Sequence, residues 1–445
     1  MQPFFPSRRR FLQAAGLVAL AGCAPSRPRV RRRPPDEPLR LAIVGVAGQG
    51  RANLEAVRGE RIVALCDVDG GSLARTAAEF PDARTFADFR AMFADADALD
   101  LDGVLVSTPD HTHALAAALA LERSIPVYCE KPLTHTMHEA RLLRDLAARA
   151  GVPTQMGTQI HAGDNYRRVV EAIRGGAIGR VTAVDCWQLK DWGGGRLTPG
   201  AMPPPELDWD LWQGPVPRTG YIEGIHPANW RRYWAYGTGT LGDMGCHVMD
   251  LPFWALGLDA AKGLRMEVRA DGPAPDPVGA PTWLEASWAI PQPGQRDPLV
   301  LRWFDGGRIS PFVQEIGAKD RVDYHGRFSV CFQGTEGALF ANYGEMLLWP
   351  GARAAAWKPP EPSIAPSPGH HREWLDAIRA GDANAPLCNF TYASRLTELV
   401  LAGTVAYRAG RTIEFDVDAL RLGSGEPLPG LLTAPVEPGW ELPRA

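Results

Sequence analysis

The residues Leu41-Ala42-Ile43-Val44-Gly45-Val46-Ala47-Gly48-Gln49-Gly50-Arg51 narrow the possible folds more than any other stretch of the chain. Four apolar residues run into a glycine-rich turn, and a helix-compatible segment follows. That is the order of a buried parallel strand, a tight loop and a helix N-terminus. Such a loop lets the backbone approach a pyrophosphate, and the helix end offers it unpaired N–H groups. The spacing Gly45, Ala47, Gly50 departs from the usual fingerprint at Ala47, where a second glycine is common, and adds Gly48. The next apolar run, Arg61 to Cys66, ends at Asp67, 22 residues beyond Gly45. An acid about 20 residues on is placed to bind the adenine ribose hydroxyls, and a carboxylate there repels a 2′-phosphate. The expectation is an NAD site, with NADP disfavoured, against the alternative of a ligand-free turn with a solvated Asp67. Gly45, Ala47, Gly48, Gln49, Gly50, Arg51 and Asp67 are its candidate contacts.

Alternation continues after Asp67. Helical spacing over 72–80, 87–96, 111–121 and 137–150 is interleaved with short apolar runs at 84–86, 103–107, 126–130 and 153–157. Strands alternating with helices predict a doubly wound parallel sheet over 40–160. Beyond His161 the texture changes. Half of the 14 tryptophans fall between Trp187 and Trp254, in a proline-rich region. Runs at 282–290 and 300–304 read as strands, and helices return at 371–379 and 392–408. The fold class is therefore α/β, with a second α/β domain over 161–445 built on an open, mostly antiparallel sheet. A chain of 445 residues is too long for one ordinary core, which agrees with two domains.

Residues 1–23 read as a targeting segment. Ser7-Arg8-Arg9-Arg10-Phe11-Leu12 resembles a twin-arginine export signal, and the apolar run after it is too short to span a bilayer. Leu20-Ala21-Gly22-Cys23 resembles a lipobox, which would make Cys23 a lipid anchor. Residues 24–39, rich in Pro and Arg, read as a linker. The expected location is the periplasm, with membrane attachment only through Cys23. A net charge of −4 points to neither a nucleic-acid partner nor a charged membrane face. None of the seven cysteines is paired at zinc spacing, so no metal site is expected.

Two clusters could carry chemistry. Glu130-Lys131-Pro132 follows a strand of the parallel sheet, so its end faces the crevice where ligands bind. Only five lysines occur among 47 Lys plus Arg, and a lysine in that crevice can polarise a substrate oxygen. The alternative is a surface lysine paired with Glu130. Asp243 and His247 lie four residues apart and share a helix face, an arrangement used for general acid–base work but also a common structural pair. His370-His371 reads as a capping or surface pair. Tyr221, Tyr233 and Tyr236 are further acid–base candidates, with nothing to single one out.

Taken in order, the glycine loop, Asp67, Ser107-Thr108-Pro109 with His113, Glu130-Lys131-Pro132, and Asp243 with His247 resemble the Gfo/Idh/MocA family. The resemblance covers about residues 40–445 and is strongest in the first half. It implies bound NAD(P) and catalysis by Lys131, Asp243 and His247. In that reading Lys131 orients a sugar hydroxyl, His247 is the acid–base, and Asp243 holds His247. Thr108, Pro109, His113 and Glu130 join the cofactor contacts, the Lys131–Pro132 bond is expected to be cis, and the open sheet implies a homo-oligomer. The implied activity is hydride transfer between a sugar or polyol carbon and a tightly bound nicotinamide. The alternative is a redox-neutral glycosidase resembling glycoside hydrolase family 109, which oxidises, eliminates, hydrates and reduces in turn.

Overall fold

The computed structural model describes residues 34, 37–198, 200–260, 265–423 and 433–443. The targeting segment, Cys23 and most of the linker lie outside them. A six-stranded parallel sheet comes first, formed by β1 (Arg40–Val44), β2 (Arg61–Cys66), β3 (Arg84–Phe86), β4 (Gly103–Val106), β5 (Val127–Cys129) and β6 (Thr154–Met156). Its order is β3-β2-β1-β4-β5-β6, with every neighbouring pair parallel. Chain direction across the sheet reverses between β1 and β4, which opens a crevice beyond their C-terminal ends. β1 and β4 are buried throughout their apolar residues, as strands covered on both faces must be.

The second sheet has nine strands: β7 (Val181–Trp187), β8 (Arg265–Asp271), β9 (Glu285–Ile290), β10 (Leu299–Phe304), β11 (Val330–Gly334), β12 (Gly337–Ala341), β13 (Met346–Trp349), β14 (Ile413–Asp416) and β15 (Arg421–Leu422). Its order is β13-β12-β11-β7-β10-β9-β8-β14-β15, and only the β7–β10 pair is parallel. Alternation along β8 and β9 buries Met266, Val268, Ala286, Trp288 and Ile290 on one face. The helix Phe390–Ala409 packs there, and Trp288 donates its indole N–H to Leu399 O at 3.0 Å. On the other face Arg269, Ser287, Arg302 and Asp185 stand in one cross-strand row. Asp185 is fully buried, pairs with the Arg302 charge at 2.7 Å and accepts a hydrogen bond from Gln333 Nε2 at 2.6 Å.

One late element returns to the first sheet. The helix His370–Ala380 buries Trp374, Leu375 and Ile378 among Leu39, Leu41, Leu65 and Leu105. Trp374 donates to Pro153 O at 3.3 Å. This corrects the reading of His370-His371 as a surface pair. His370 is buried against Met156 O at 2.7 Å, and His371 stacks on Tyr128 with ring centroids 4.7 Å apart.

Candidate active site

β1 ends in a turn that only glycine fits. Gly45 sits at φ 85°, and a Cβ there would lie 2.7 Å from Ser107 O. A Cβ on Gly50 would fall on the carbonyl oxygen of Gly45. The turn delivers the helix Gln49–Ala56, whose N-cap Gly48 has no capping side chain. Asp67, at the end of β2, holds the turn: its carboxylate accepts Val46 N–H at 2.8 Å and Asp69 N–H at 2.9 Å. Burial pushes the Asp67 carboxyl up, against those two backbone donors.

A cavity of about 710 Å³ begins at this turn. Gly45, Ala47, Gly48, Gln49, Asp67, Thr108, Pro109 and Glu130 line one part of it, and Lys131, Asp243 and His247 another. Three candidates do not line it. Gly50 is a packing glycine beneath the turn. Arg51 points to the surface, where Glu55 and Glu79 bind it at 2.6 and 2.8 Å. His113 is buried between Pro132 O at 2.9 Å and Thr108 O at 2.7 Å, so it braces the two loops instead of facing a cofactor.

Glu130 is not the partner of the Lys131 ammonium, although its carboxylate accepts the Lys131 backbone N–H at 3.3 Å. Its carboxylate accepts Asn53 Nδ2 and Gln159 Nε2, each at 2.9 Å, and burial pushes its carboxyl up. Lys131, followed by a cis peptide at Pro132, donates from Nζ to Asp243 Oδ1 at 2.7 Å and Asp243 O at 2.8 Å. The same Oδ1 accepts Arg231 Nε at 2.8 Å, and Oδ2 accepts Trp192 Nε1 at 2.8 Å. Burial works to raise the Asp243 carboxyl, but the charges of Lys131 and Arg231 win and hold it well below the carboxylate range.

That set of partners corrects the role expected for Asp243. Both residues lie on the helix Gly239–Val248 as the spacing implied, yet the Asp243 carboxylate bonds two cations and an indole, not the imidazole. His247 Nδ1 is buried without a hydrogen-bond partner. Burial, then the charge of Lys131, lowers the His247 pKa to about 3, so the ring is a neutral proton acceptor.

Among the cavity residues that the sequence did not single out as site candidates, four bear on the chemistry. Trp192 and Arg231 complete the Asp243 set, and the Arg231 guanidinium lies 4.1 Å over the Trp230 ring. Asp110 lines the cavity beside Thr238 Oγ1 at 3.0 Å, with its carboxyl pushed up to about 7 by burial. Tyr343 reaches the cavity from the β12–β13 turn, its hydroxyl pushed up to about 12 by burial and the Asp243 charge. Asp110 had a visible signal, an acid closing the turn after a crevice strand; the other three had none. Tyr221, Tyr233 and Tyr236 do not line the cavity. Tyr233 donates to Arg196 O at 3.1 Å, Tyr236 meets Thr219 Oγ1 at 3.1 Å, and Tyr221 packs edge-on to Trp209.

The donors fit a dinucleotide. The backbone-only turn, uncapped helix start and Asp67 carboxylate suit pyrophosphate and ribose, and the Lys131 end has space for a nicotinamide and a small polar substrate.

Comparison with known proteins agrees with this geometry. Residues 39–158 match the Gfo/Idh/MocA oxidoreductase family, NAD-binding Rossmann fold, and 175–289 match that family's C-terminal alpha/beta domain. The rhizopine catabolism protein MocA of Rhizobium meliloti is 28% identical over 219 residues, 49% of this chain and 57% of that protein. Inositol 2-dehydrogenase 1 of Saccharopolyspora erythraea is 34% identical over 152 residues, 32% of this chain and 44% of that protein. D-apiose dehydrogenase of Paraburkholderia graminis is 33% identical over 141 residues, 31% of this chain and 37% of that protein. The matched stretch thus spans about half or less of these relatives' length. Among solved structures, an NAD-binding protein from Listeria innocua superposes with a TM-score of 0.56 at 17% identity, covering 84% of this chain and 96% of that one. The WlbA dehydrogenase of Bordetella pertussis, in complex with NADH and UDP-GlcNAcA, gives 0.57 at 18% identity over 84% and 98%. These two likenesses concern the fold. With two models of one family matching more than half of its residues, and the glycine turn, Asp67 and the Lys131–Asp243 pair around one cavity, the chain belongs to the Gfo/Idh/MocA oxidoreductases, NAD-binding in its Rossmann domain.

Proposed function

We propose that this protein is an NAD-dependent dehydrogenase of a sugar or polyol. One observation carries the reading. Lys131 and Asp243, from separate sheets' surroundings and 112 residues apart, pair at 2.7 Å in the wall of the cavity that the glycine turn opens. When bound, the nicotinamide accepts or returns the hydride. Lys131 has three donors and uses two on Asp243, so its third is free to bind the substrate hydroxyl oxygen. His247, neutral and lining the cavity, takes the hydroxyl proton as the carbonyl forms. Asp243 keeps Lys131 and Arg231 oriented, and Arg231 and Trp192 shape the substrate end. The reported relatives are dehydrogenases or a catabolic protein, and no observation favours the hydrolytic alternative.

We also propose export by the twin-arginine route, lipidation at Cys23, a periplasmic location, and a homo-oligomer joined through the open sheet. The motifs at 7–12 and 20–23 support the first three, and the outward row Arg269, Ser287, Arg302 the last. Where free NAD is scarce, the cofactor must stay bound and be restored in place.

The test incubates purified protein with a panel of polyols and sugars, inositol and pentoses included, and follows reduced nicotinamide. Turnover lost in Lys131→Met supports the reading. Protein that binds NAD yet oxidises nothing on the panel, or a Lys131→Met variant that turns over normally, refutes it. Membrane attachment unchanged in Cys23→Ser would refute the anchor. A monomer by light scattering would refute the oligomer.

A further inference from the structure

A second cavity, of about 320 Å³, lies behind the segment Trp234–Thr238. Arg408, Thr404, Trp234 and His135 line it, with Leu401 and Val405 as apolar walls. It is separate from the main cavity but shares a wall with it: Thr238 borders the small cavity, and its hydroxyl bonds Asp110 of the large one at 3.0 Å.

Two groups there lack a polar or charged partner, Thr404 buried and Arg408 half-buried. Thr404 is 7% exposed, and its hydroxyl is buried without a hydrogen bond. Buried side-chain hydroxyls are normally satisfied, so an orphan facing a cavity marks space for a polar ligand atom. Arg408 stands four residues on along the helix Phe390–Ala409, on the same face. No carboxylate pairs with it among the described residues, and its only charge-directed contact there is the Trp234 ring at 5.2 Å. The contrast with paired arginines is direct. Arg51 and Arg141, which have glutamate partners, are shifted up, whereas burial alone shifts Arg408 down. His135 Nε2 faces Trp234 O at 2.9 Å and Gly237 O at 3.2 Å, so it carries the ring hydrogen and leaves Nδ1 as an acceptor.

We propose that this cavity binds a small organic carboxylate, forked onto Arg408, bonded by Thr404, with its apolar body against Trp234, Leu401 and Val405. A monoanion matches the single positive charge, and a planar carboxylate matches the guanidinium fork. A phosphate dianion would bury a charge with nothing to neutralise it. The volume admits a body of a few carbons, at the low end of small-molecule sites.

Calorimetry on the full chain with saturating NAD, using benzoate as probe, tests this. Benzoate should bind wild type and Lys131→Met equally, which excludes binding at the Lys131 site. Arg408→Gln should weaken it about 10- to 100-fold, the loss of a charge-assisted pair. Thr404→Val, which keeps the side-chain shape, should weaken it about 3- to 10-fold. Neutral benzamide should not bind. Benzoate that binds Arg408→Gln as well as wild type, weakens in Lys131→Met, or gives no heat up to about 10 mM overturns the proposal. Benzamide or inorganic phosphate binding as tightly as benzoate does the same. If Arg408→Gln does not fold, the Thr404→Val loss and the benzoate–benzamide difference decide the matter.

Discussion

Asp243 holds Lys131, Arg231 and Trp192 on one carboxylate, and that crowding sets its worth. In Asp243→Asn, two cations face each other with no anion between them. Lys131 then loses the contact that aims it. The single-turnover hydride rate should fall about as far as in Lys131→Met, roughly 10²–10⁴-fold, with dinucleotide affinity little changed. A loss far smaller than for Lys131→Met would show that something else places the lysine. His111 offers a second test. It is buried between Trp212 O at 2.9 Å and Tyr236 O at 3.3 Å, and burial lowers its pKa to about 3. The unfolded chain binds that proton near pH 6.5. Its effect on stability is therefore nil above about 6.5 and grows unfavourable as the pH falls from there toward 3. His111→Gln should show a shallower loss of urea midpoint between pH 6.5 and 4 than wild type. Parallel curves would contradict the assignment. Lys131, Asp243 and His247 were legible as residues, because rare lysine, strand-end position and i,i+4 spacing are local facts. Which of them bonds which was not, since Trp192 reaches Asp243 from a loop and Arg231 from the short 3-10 helix Asn229–Arg232, neither with a distinguishing pattern.

At the scale of elements, the β1 turn is the most constrained piece. Gly50 has no space for a methyl group, because the Gly45 carbonyl occupies it. Gly50→Ala should destabilise the protein by about 1–3 kcal/mol and weaken dinucleotide binding, measured by urea unfolding and calorimetry. Wild-type values for both would mean the turn relaxes freely. The strand–helix alternation through Met156 was readable from period and turn chemistry, since each parallel strand is a short apolar run between breakers. The β12–β13 turn, which carries Tyr343 to the cavity, was not. It is a short turn in which Asn342 Oδ1 accepts Gly344 and Glu345 N–H at 2.8 Å each, and no expectation from the sequence fell on it. Nothing in such a turn states what it faces.

For the whole molecule, the first sheet depends on the last third of the chain. Trp374 is fully buried, with Leu375 and Ile378 of the same helix, in a core otherwise made by residues before 160, and the tail adds Trp440, which meets Phe89 edge-on at 5.8 Å. Trp374→Ala should cost about 3–5 kcal/mol by chemical denaturation. A fragment of residues 40–160 should lose the covering helix and bind hydrophobic dye. A well-folded, cooperative fragment would contradict that dependence.

The sequence alone determined the parallel sheet, its crevice, the glycine turn, Asp67 and the three residues of the candidate centre. All are local: each follows from period, spacing or a residue type whose geometry or charge has few uses. Tertiary structure decided that Asp243 serves Lys131 rather than His247, that His113 and Arg51 stay out of the cavity, and that His370 is buried while His371 stacks half-buried on Tyr128. It also decided that Arg231, Trp192 and Tyr343 come in. Those outcomes depend on which distant surfaces meet. Burial and charge at such a meeting act over a few ångströms of space, whatever the separation along the chain.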